Sequence, residues 1–176
     1  GKLIPLWGHC VCSGFSWRYL MLYLLLNNQY IAANEADVIA EATEIYSRYF
    51  KRGTQLTCPS EASDYIRLKL IPNESEVFLG LFMDAQHRII ACEDLFFGTI
   101  SEAMVYPREV IKKALFYNAA SVIFAHNHPS GLSEPSQADI AITSKLEKAL
   151  QLIEVKLLDH FICGEGIYSI KEGRKY

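Results

Sequence analysis

SVIFAHNHPSGLSEPSQADIAITSKLEKAL, residues 121–150, decides how this chain folds. It opens with residues 121–125, short, apolar and β-branched, which read as a central strand covered on both faces. Pro129, Ser130, Gly131 and Pro135 mark a loop over 126–135. Ser136 then starts a helix that runs to Leu150, with Ile140, Leu146 and Leu150 as inward candidates. A buried strand that passes through a short loop into a helix brings the strand tip and the helix's first turn close together.

Working outward, residues 77–83 form an apolar run, 84–87 a turn and 88–93 a returning strand, and 95–100 read as a third strand. Pro107 opens a helix over 107–117 that Asn118 closes. Residues 155–163 and 167–170 are strands around Gly164-Glu165-Gly166. Hairpins mixed with helices indicate an α+β or three-layer αβα domain, a mixed sheet flanked by helices, rather than a doubly wound one.

Toward the N-terminus, residues 34–50 read as a helix, with Asn34 as N-cap, Glu35 and Asp37 in the first turn, and Val38, Ala42, Ile45 and Tyr49 at helical spacing. Residues 53–60 resemble a linker. Pro59 or Ser60 begins a second helix through Leu70, broken by Pro72-Asn73. The main domain is therefore placed at 57–176, after an N-terminal helical segment at 1–56. The run YLMLYLLL, residues 19–26, is far short of the roughly 20 residues a membrane span needs. It reads as a buried or oligomer-forming helix, a route to a homo-oligomer. No membrane association is expected. The first thirty residues show no clean period.

The net charge is −3, without the basic excess of a domain that grips phosphate backbones, so nucleic acid is not favoured as a direct ligand. Lys171, Arg174 and Lys175 read as a solvated tail. Five cysteines, an odd number with no CxxC pair, suit a reduced, cytoplasmic protein without disulfides. Cys10 and Cys12 beside His9 lack a second Cys/His pair at zinc-finger spacing. Cys92 and Cys163 read as buried strand residues.

The chemistry concentrates at His126, His128 and Asp139. Histidines at i and i+2 leave a buried strand on the same side, so two imidazoles can converge on one ion. Asp139, in the first turn of the following helix, can point back at them. Two neutral imidazoles and one carboxylate suit Zn²⁺, and three protein ligands leave a coordination position for water, the mark of a catalytic site. Each piece has a plainer explanation: Ser136-x-x-Asp139 is also a helix capping box, and Asn-x-Pro-Ser-Gly is turn chemistry. Neither accounts for two histidines at a strand end.

His-x-His, seven residues, Ser, two residues, Asp matches the JAMM metal motif of JAB/MPN proteins at every specified position. With Val-Tyr-Pro-Arg-Glu-Val at 105–110, Ala-His-Asn-His-Pro-Ser-Gly at 125–131, Pro-Ser-Gln-Ala-Asp at 135–139 and Leu-Leu-Asp-His at 157–160, the chain resembles bacterial RadC-like proteins over residues 57–170. The recognisable part resembles a short member, without the helix-hairpin-helix segment of longer ones.

The resemblance implies the JAB/MPN, cytidine-deaminase-like fold and a zinc metallohydrolase cleaving a peptide or isopeptide bond with a metal-activated water. It also implies a glutamate at the entry to a core strand as general base. Glu76, before Val77-Phe78-Leu79-Gly80-Leu81, resembles that residue, with Glu74 and Glu93 in reserve. Ser136 resembles the family serine that helps hold the tetrahedral oxyanion. The substrate, a peptide or protein, is not carried over with the motif. RadC-like proteins are also labelled DNA-repair factors, so a non-enzymatic repair or mobile-element module is the alternative. An intact ligand set speaks against a dead scaffold. A zinc deaminase would need a Pro-Cys-x-x-Cys pair that is absent. His160 after Asp159 reads as a packed histidine before a partner of the metal ligands, and His87 as a solvated turn residue.

Overall fold

The computed structural model describes residues 3–12, 15–26, 29–49, 51–70, 73–98 and 105–175, with the backbone alone for 3–26, 30, 46, 47 and 49. The side chains of His9, Cys10 and Cys12, and residues Phe50, Pro72 and Ile100, lie outside the described set. The chain divides into two compact units, Gly1–Tyr49 and Phe50–Tyr176.

The first unit holds strands β1 (Leu3–Cys12), β2 (Phe15–Leu26) and β3 (Gln29–Ala32), then helix α1 (Glu35–Tyr49). Residues 19–26 are therefore strand, not helix, and the unit is a small sheet plus one helix rather than a helical segment. The run is apolar at nearly every position, so it carries no helical period. It holds two tyrosines, Tyr19 and Tyr23, a residue type that favours strands. Backbone pairing decides the outcome: β2 pairs antiparallel with β1 from Leu3↔Leu24 to Cys12↔Phe15, and with β3 on its other side. Helix α1 starts as expected. The Asn34 side chain accepts from the Asp37 amide at 2.9 Å, and Asp37 accepts from the Asn34 amide at 2.9 Å.

The second unit is built on a mixed six-stranded sheet. In chain order it holds α2 (Pro59–Leu70), β4 (Val77–Met83), β5 (Ile89–Phe97), α3 (Pro107–Phe116), β6 (Ser121–Asn127), α4 (Gln137–Gln151), β7 (Lys156–Cys163), β8 (Ile167–Ser169) and β9 (Arg174–Lys175). The sheet order is β5-β4-β6-β7-β8-β9, with β6 and β7 parallel and every other neighbour antiparallel. Parallel β6 and β7 need a crossover, and α4 supplies it.

Both sheet faces are covered, which gives three layers. On one face Tyr65, Ile66 and Leu70 of α2 pack on Leu79, Leu81, Ala125 and Phe161. On the other, Val110 and Ala114 of α3 and Ile142, Leu146 and Leu150 of α4 pack on Phe78, Phe82 and Phe124. Burial on both faces is why β4 and β6 read as continuous apolar runs. Ile140 turns outward, 43% exposed, because Asp139, Ile142, Thr143, Leu146 and Leu150 share the inward stripe of α4.

Three expectations change here. Residues 95–97 continue β5 instead of starting a third strand. Asp94 pairs with Leu79 and Phe96 with Phe78, so Leu95 is an extra residue in a bulge that resets the alternation. Gly80 makes room for it, since a Cβ there would meet Leu95 Cδ1 at 2.9 Å. The stretch 53–60 is no free linker. Its backbone bonds to the end of the β4–β5 hairpin (Gly53 to Ile89, Leu56 to His87), and Leu56 is buried. Arg174 and Lys175 form an edge strand, exposed but paired to Tyr168 and Ser169.

Candidate metal centre

Strand β6 alternates. Val122, Phe124 and His126 face α4, and His126 is wholly buried at the strand's C-terminal end. The parallel ladder extends one residue further, the His128 amide donating to the Cys163 carbonyl at 2.8 Å. The chain then turns, with the Gly131 amide bonded to the His128 carbonyl at 2.9 Å and Gly131 at φ 81°. The antiparallel register that sets Phe78 opposite His126 carries Glu76 to the level of His128.

These elements bring His126, His128 and Asp139 together. The two Nε2 atoms stand 3.0 Å apart. Asp139 Oδ1 lies 3.2 Å from His126 Nε2, and Oδ2 lies 3.6 Å from His128 Nε2. Asp139 is 2% exposed and His128 18%. Glu76 joins them from just before β4, its carboxylate within 4.8 Å of the ligand atoms of both histidines. The reserves do not. Glu74 is exposed, and Glu93 is held by Lys113 at 2.5 Å and by the Tyr117 hydroxyl.

The donor chemistry fits a divalent cation. His128 Nδ1 gives its proton to the Leu132 carbonyl at 2.7 Å, because a carbonyl can only accept, and this leaves a lone pair on Nε2. That lone pair faces His126 Nε2 and a carboxylate, a set of donors that a shared divalent cation would satisfy. Ligands about 2.0–2.1 Å from a tetrahedral zinc stand about 3.3 Å apart, close to the spacings seen here. Asp139 Oδ2 already takes the Ser136 amide at 2.7 Å and the Ser136 hydroxyl at 2.6 Å, so Oδ1 is the oxygen free for an ion.

Burial works to raise the Asp139 pKa, but His126, His128 and Ser136 outweigh it and hold the carboxyl far below the usual range. Asp139 in turn raises His128, against burial, with help from the Leu132 carbonyl. Burial and the adjacent His126 push His160 well below the ordinary histidine range.

Ser136 and Asp139 do form the capping box, the Asp139 amide donating to Ser136 Oγ at 3.1 Å. The plainer explanation and the ligand role thus coexist: the cap fixes the carboxylate at the positive end of α4 and aims it at the histidines.

Two contributors went unread in the sequence. Asn127, between the histidines, is buried and bonds Val77, Asn73 and Ser75, so it anchors the segment carrying Glu76. Thr143 lies on the inward stripe of α4, one turn after Asp139, where Ser/Thr is a warning in a buried helix. His160, expected to be packed, is wholly buried and also 2.9 Å from His126 Nδ1. His87 is exposed in its turn, as expected. Cys163 is buried, its thiol pushed up to about 12 by burial, whereas Cys92 is only half-buried.

A mixed sheet between helical layers, with paired histidines at the tip of a central strand and an aspartate on the crossover helix, defines a JAB-type α+β domain. Residues 56–175 match the RadC-like JAB domain, and the chain belongs to that family. A UPF0758 protein of Vibrio cholerae is 47% identical over 150 residues, covering 85% of this chain and 92% of that protein. Another, of Cellvibrio japonicus, is 57% identical over 116 residues, 66% of this chain and 52% of that protein. A third, of Nitrosomonas eutropha, is 50% identical over 129 residues, 73% and 58%. The chain spans little more than half the length of the latter two and of several other relatives of the same name. Their shared name states no activity. Among the described residues, no helix is long and apolar enough to cross a membrane.

Proposed function

We propose that the chain is a zinc-dependent hydrolase of the JAMM type that cleaves a peptide or isopeptide bond in a peptide or protein substrate. His126 Nε2, His128 Nε2 and Asp139 Oδ1 would hold the metal. One observation carries this reading: the two imidazole Nε2 atoms stand 3.0 Å apart, with the Asp139 carboxylate 3.2 Å from one through Oδ1 and 3.6 Å from the other through Oδ2. Bound zinc would supply Lewis acidity, bringing the pKa of a coordinated water to about 7.

The chain's own groups supply the rest. Glu76 stands farther out than Asp139, a position suited to take a proton from the attacking water and hand it to the leaving amine. Asn127 keeps it there. Ser136 carries a hydroxyl at the site that could donate to a developing oxyanion. To do so it must turn away from Asp139 Oδ2, which it now serves.

Elemental analysis of the purified chain should give one zinc per chain, lost in His126→Ala, and a peptide library should reveal a cleaved bond. Tight, salt-sensitive DNA binding by zinc-free protein, with no cleavage, would instead favour the non-enzymatic repair module.

A further inference from the structure

We propose that Thr143 and His160 are positioning residues that set the tautomer of His126, using the backbone of α4 as the reference. The inference rests on the zinc reading only for its affinity arm. The direction of each proton follows from the chain of contacts. Thr143 Oγ1 lies 2.5 Å from the Asp139 carbonyl oxygen, one turn back in α4. Two oxygens that close require a proton between them, and the carbonyl has none, so the threonine donates. Its single proton is then committed.

His160 Nδ1, 2.6 Å from the same Oγ1, must therefore be the donor to it. His160 is fully buried between the rings of Phe78, Phe124 and His126, where a charged imidazole is disfavoured. A neutral ring with its proton on Nδ1 presents a lone pair at Nε2. That lone pair accepts from His126 Nδ1 at 2.9 Å. A neutral His126 is then left with a bare Nε2, the atom that faces His128 and Asp139. A helix carbonyl, which can never donate, thus fixes a lone pair three hydrogen bonds away. On His128 it is the Leu132 carbonyl that takes the Nδ1 proton, so the two histidines reach the same tautomer by different routes.

The test reads the tautomer directly. Long-range ¹H–¹⁵N correlation on ¹⁵N-labelled, zinc-free protein at mildly alkaline pH should show the His126 and His160 protons on Nδ1. Thr143→Val keeps the shape of the side chain and removes the hydroxyl. It should mix the tautomers of both rings and weaken zinc binding about 10–100-fold in chelator competition. Thr143→Ser should restore both readouts.

A wild-type His126 protonated on Nε2 overturns the proposal, as does a Thr143→Val protein with the wild-type tautomers, whatever its zinc affinity. The wild-type spectrum decides even where Thr143→Val fails to fold. Wild-type protein that binds no zinc yet shows the Nδ1 tautomers defeats the hydrolase reading and leaves this one standing.

Discussion

Asn127 Oδ1 accepts the Val77 amide at 2.8 Å, so the residue between the two histidines at the end of β6 also holds the chain where it enters β4 just after Glu76. Its amide group donates to the Ser75 carbonyl at 2.9 Å and the Asn73 carbonyl at 3.2 Å. One buried side chain therefore ties the candidate base to the strand that carries the candidate ligands. Asn127→Ala should leave these backbone groups unsatisfied and cost about 1–3 kcal/mol of stability. It should bind zinc near normally, because neither histidine changes partner, while hydrolysis falls steeply. Denaturant melts, elemental analysis and a turnover assay separate the effects. Loss of metal together with activity would mean that Asn127 supports the histidines instead.

Glu76→Gln preserves shape and removes the basic oxygen. With Asp139 as the third ligand, the variant should retain its zinc and lose activity by about 10²–10⁴-fold, the range of a general base. Loss of zinc would make Glu76 a ligand, an outcome its place within 4.8 Å of both histidines keeps open to measurement. Full activity would send the base role elsewhere, though not readily to Glu93, which Lys113 and Tyr117 occupy.

Ser136 joins two roles that two substitutions can part. Alanine removes cap and hydroxyl together. Glycine removes the hydroxyl but caps nearly as well, within a few tenths of a kcal/mol. Ser136→Ala should lower stability by about 1 kcal/mol and Ser136→Gly by much less. If the hydroxyl serves the oxyanion, both should lose about 10²–10³-fold in kcat. Activity that tracks stability across the pair would leave the serine with its cap alone.

How far the sequence could be read follows from where each signal was local. The motif at 126–139 gave strand, loop and helix because apolar run, Pro/Gly turn and capping box lie side by side. The sheet's two-faced burial was legible in β4 and β6 for the same reason. What failed was non-local. Residues 19–26 had no period to read, and their pairing with β1 and β3 made them strand. Leu95 joins β5 through a bulge that exists only opposite β4 and against Gly80. Thr143 and His160 meet across 17 residues, and no spacing rule links them. Asn127 looked like turn chemistry until its partners, 50 residues away, were in view.

His160 should make the zinc-free protein acid-sensitive. Its pKa in the folded chain lies well below 6.5, chiefly because burial penalises the charged ring. Above about pH 6.5 the ring is neutral folded or unfolded, and its contribution is complete. As pH falls below that value, the unfolded chain takes up a proton that the folded chain refuses, so stability drops. The slope for one such group approaches about 1.4 kcal/mol per pH unit. His128, raised by Asp139, acts in the opposite sense, so the comparison must be made against a variant that retains it. Urea midpoints at pH 7.5, 6.0 and 5.0 should fall more steeply for wild type than for His160→Gln. Parallel curves would show that His160 takes a proton without penalty.

Gly164 lies outside the motif yet should bear on it. A Cβ there would sit 2.3 Å from the Gly131 carbonyl oxygen and 2.8 Å from the Leu132 carbonyl carbon, contacts that no side-chain rotation relieves. The loop after His128 must therefore retreat in Gly164→Ala. That loop carries the Leu132 carbonyl, the acceptor that orients His128, and the Gly131 carbonyl, which takes the Glu165 amide at 2.8 Å. Overpacking of this kind costs about 1–3 kcal/mol. Displacing the His128 partner should also weaken zinc binding by about 10–100-fold, as loss of a ligand's supporting hydrogen bond does. Chelator competition and thermal melts on the same preparation measure both. A variant with reduced stability but unchanged zinc affinity would show that the loop can yield without turning His128.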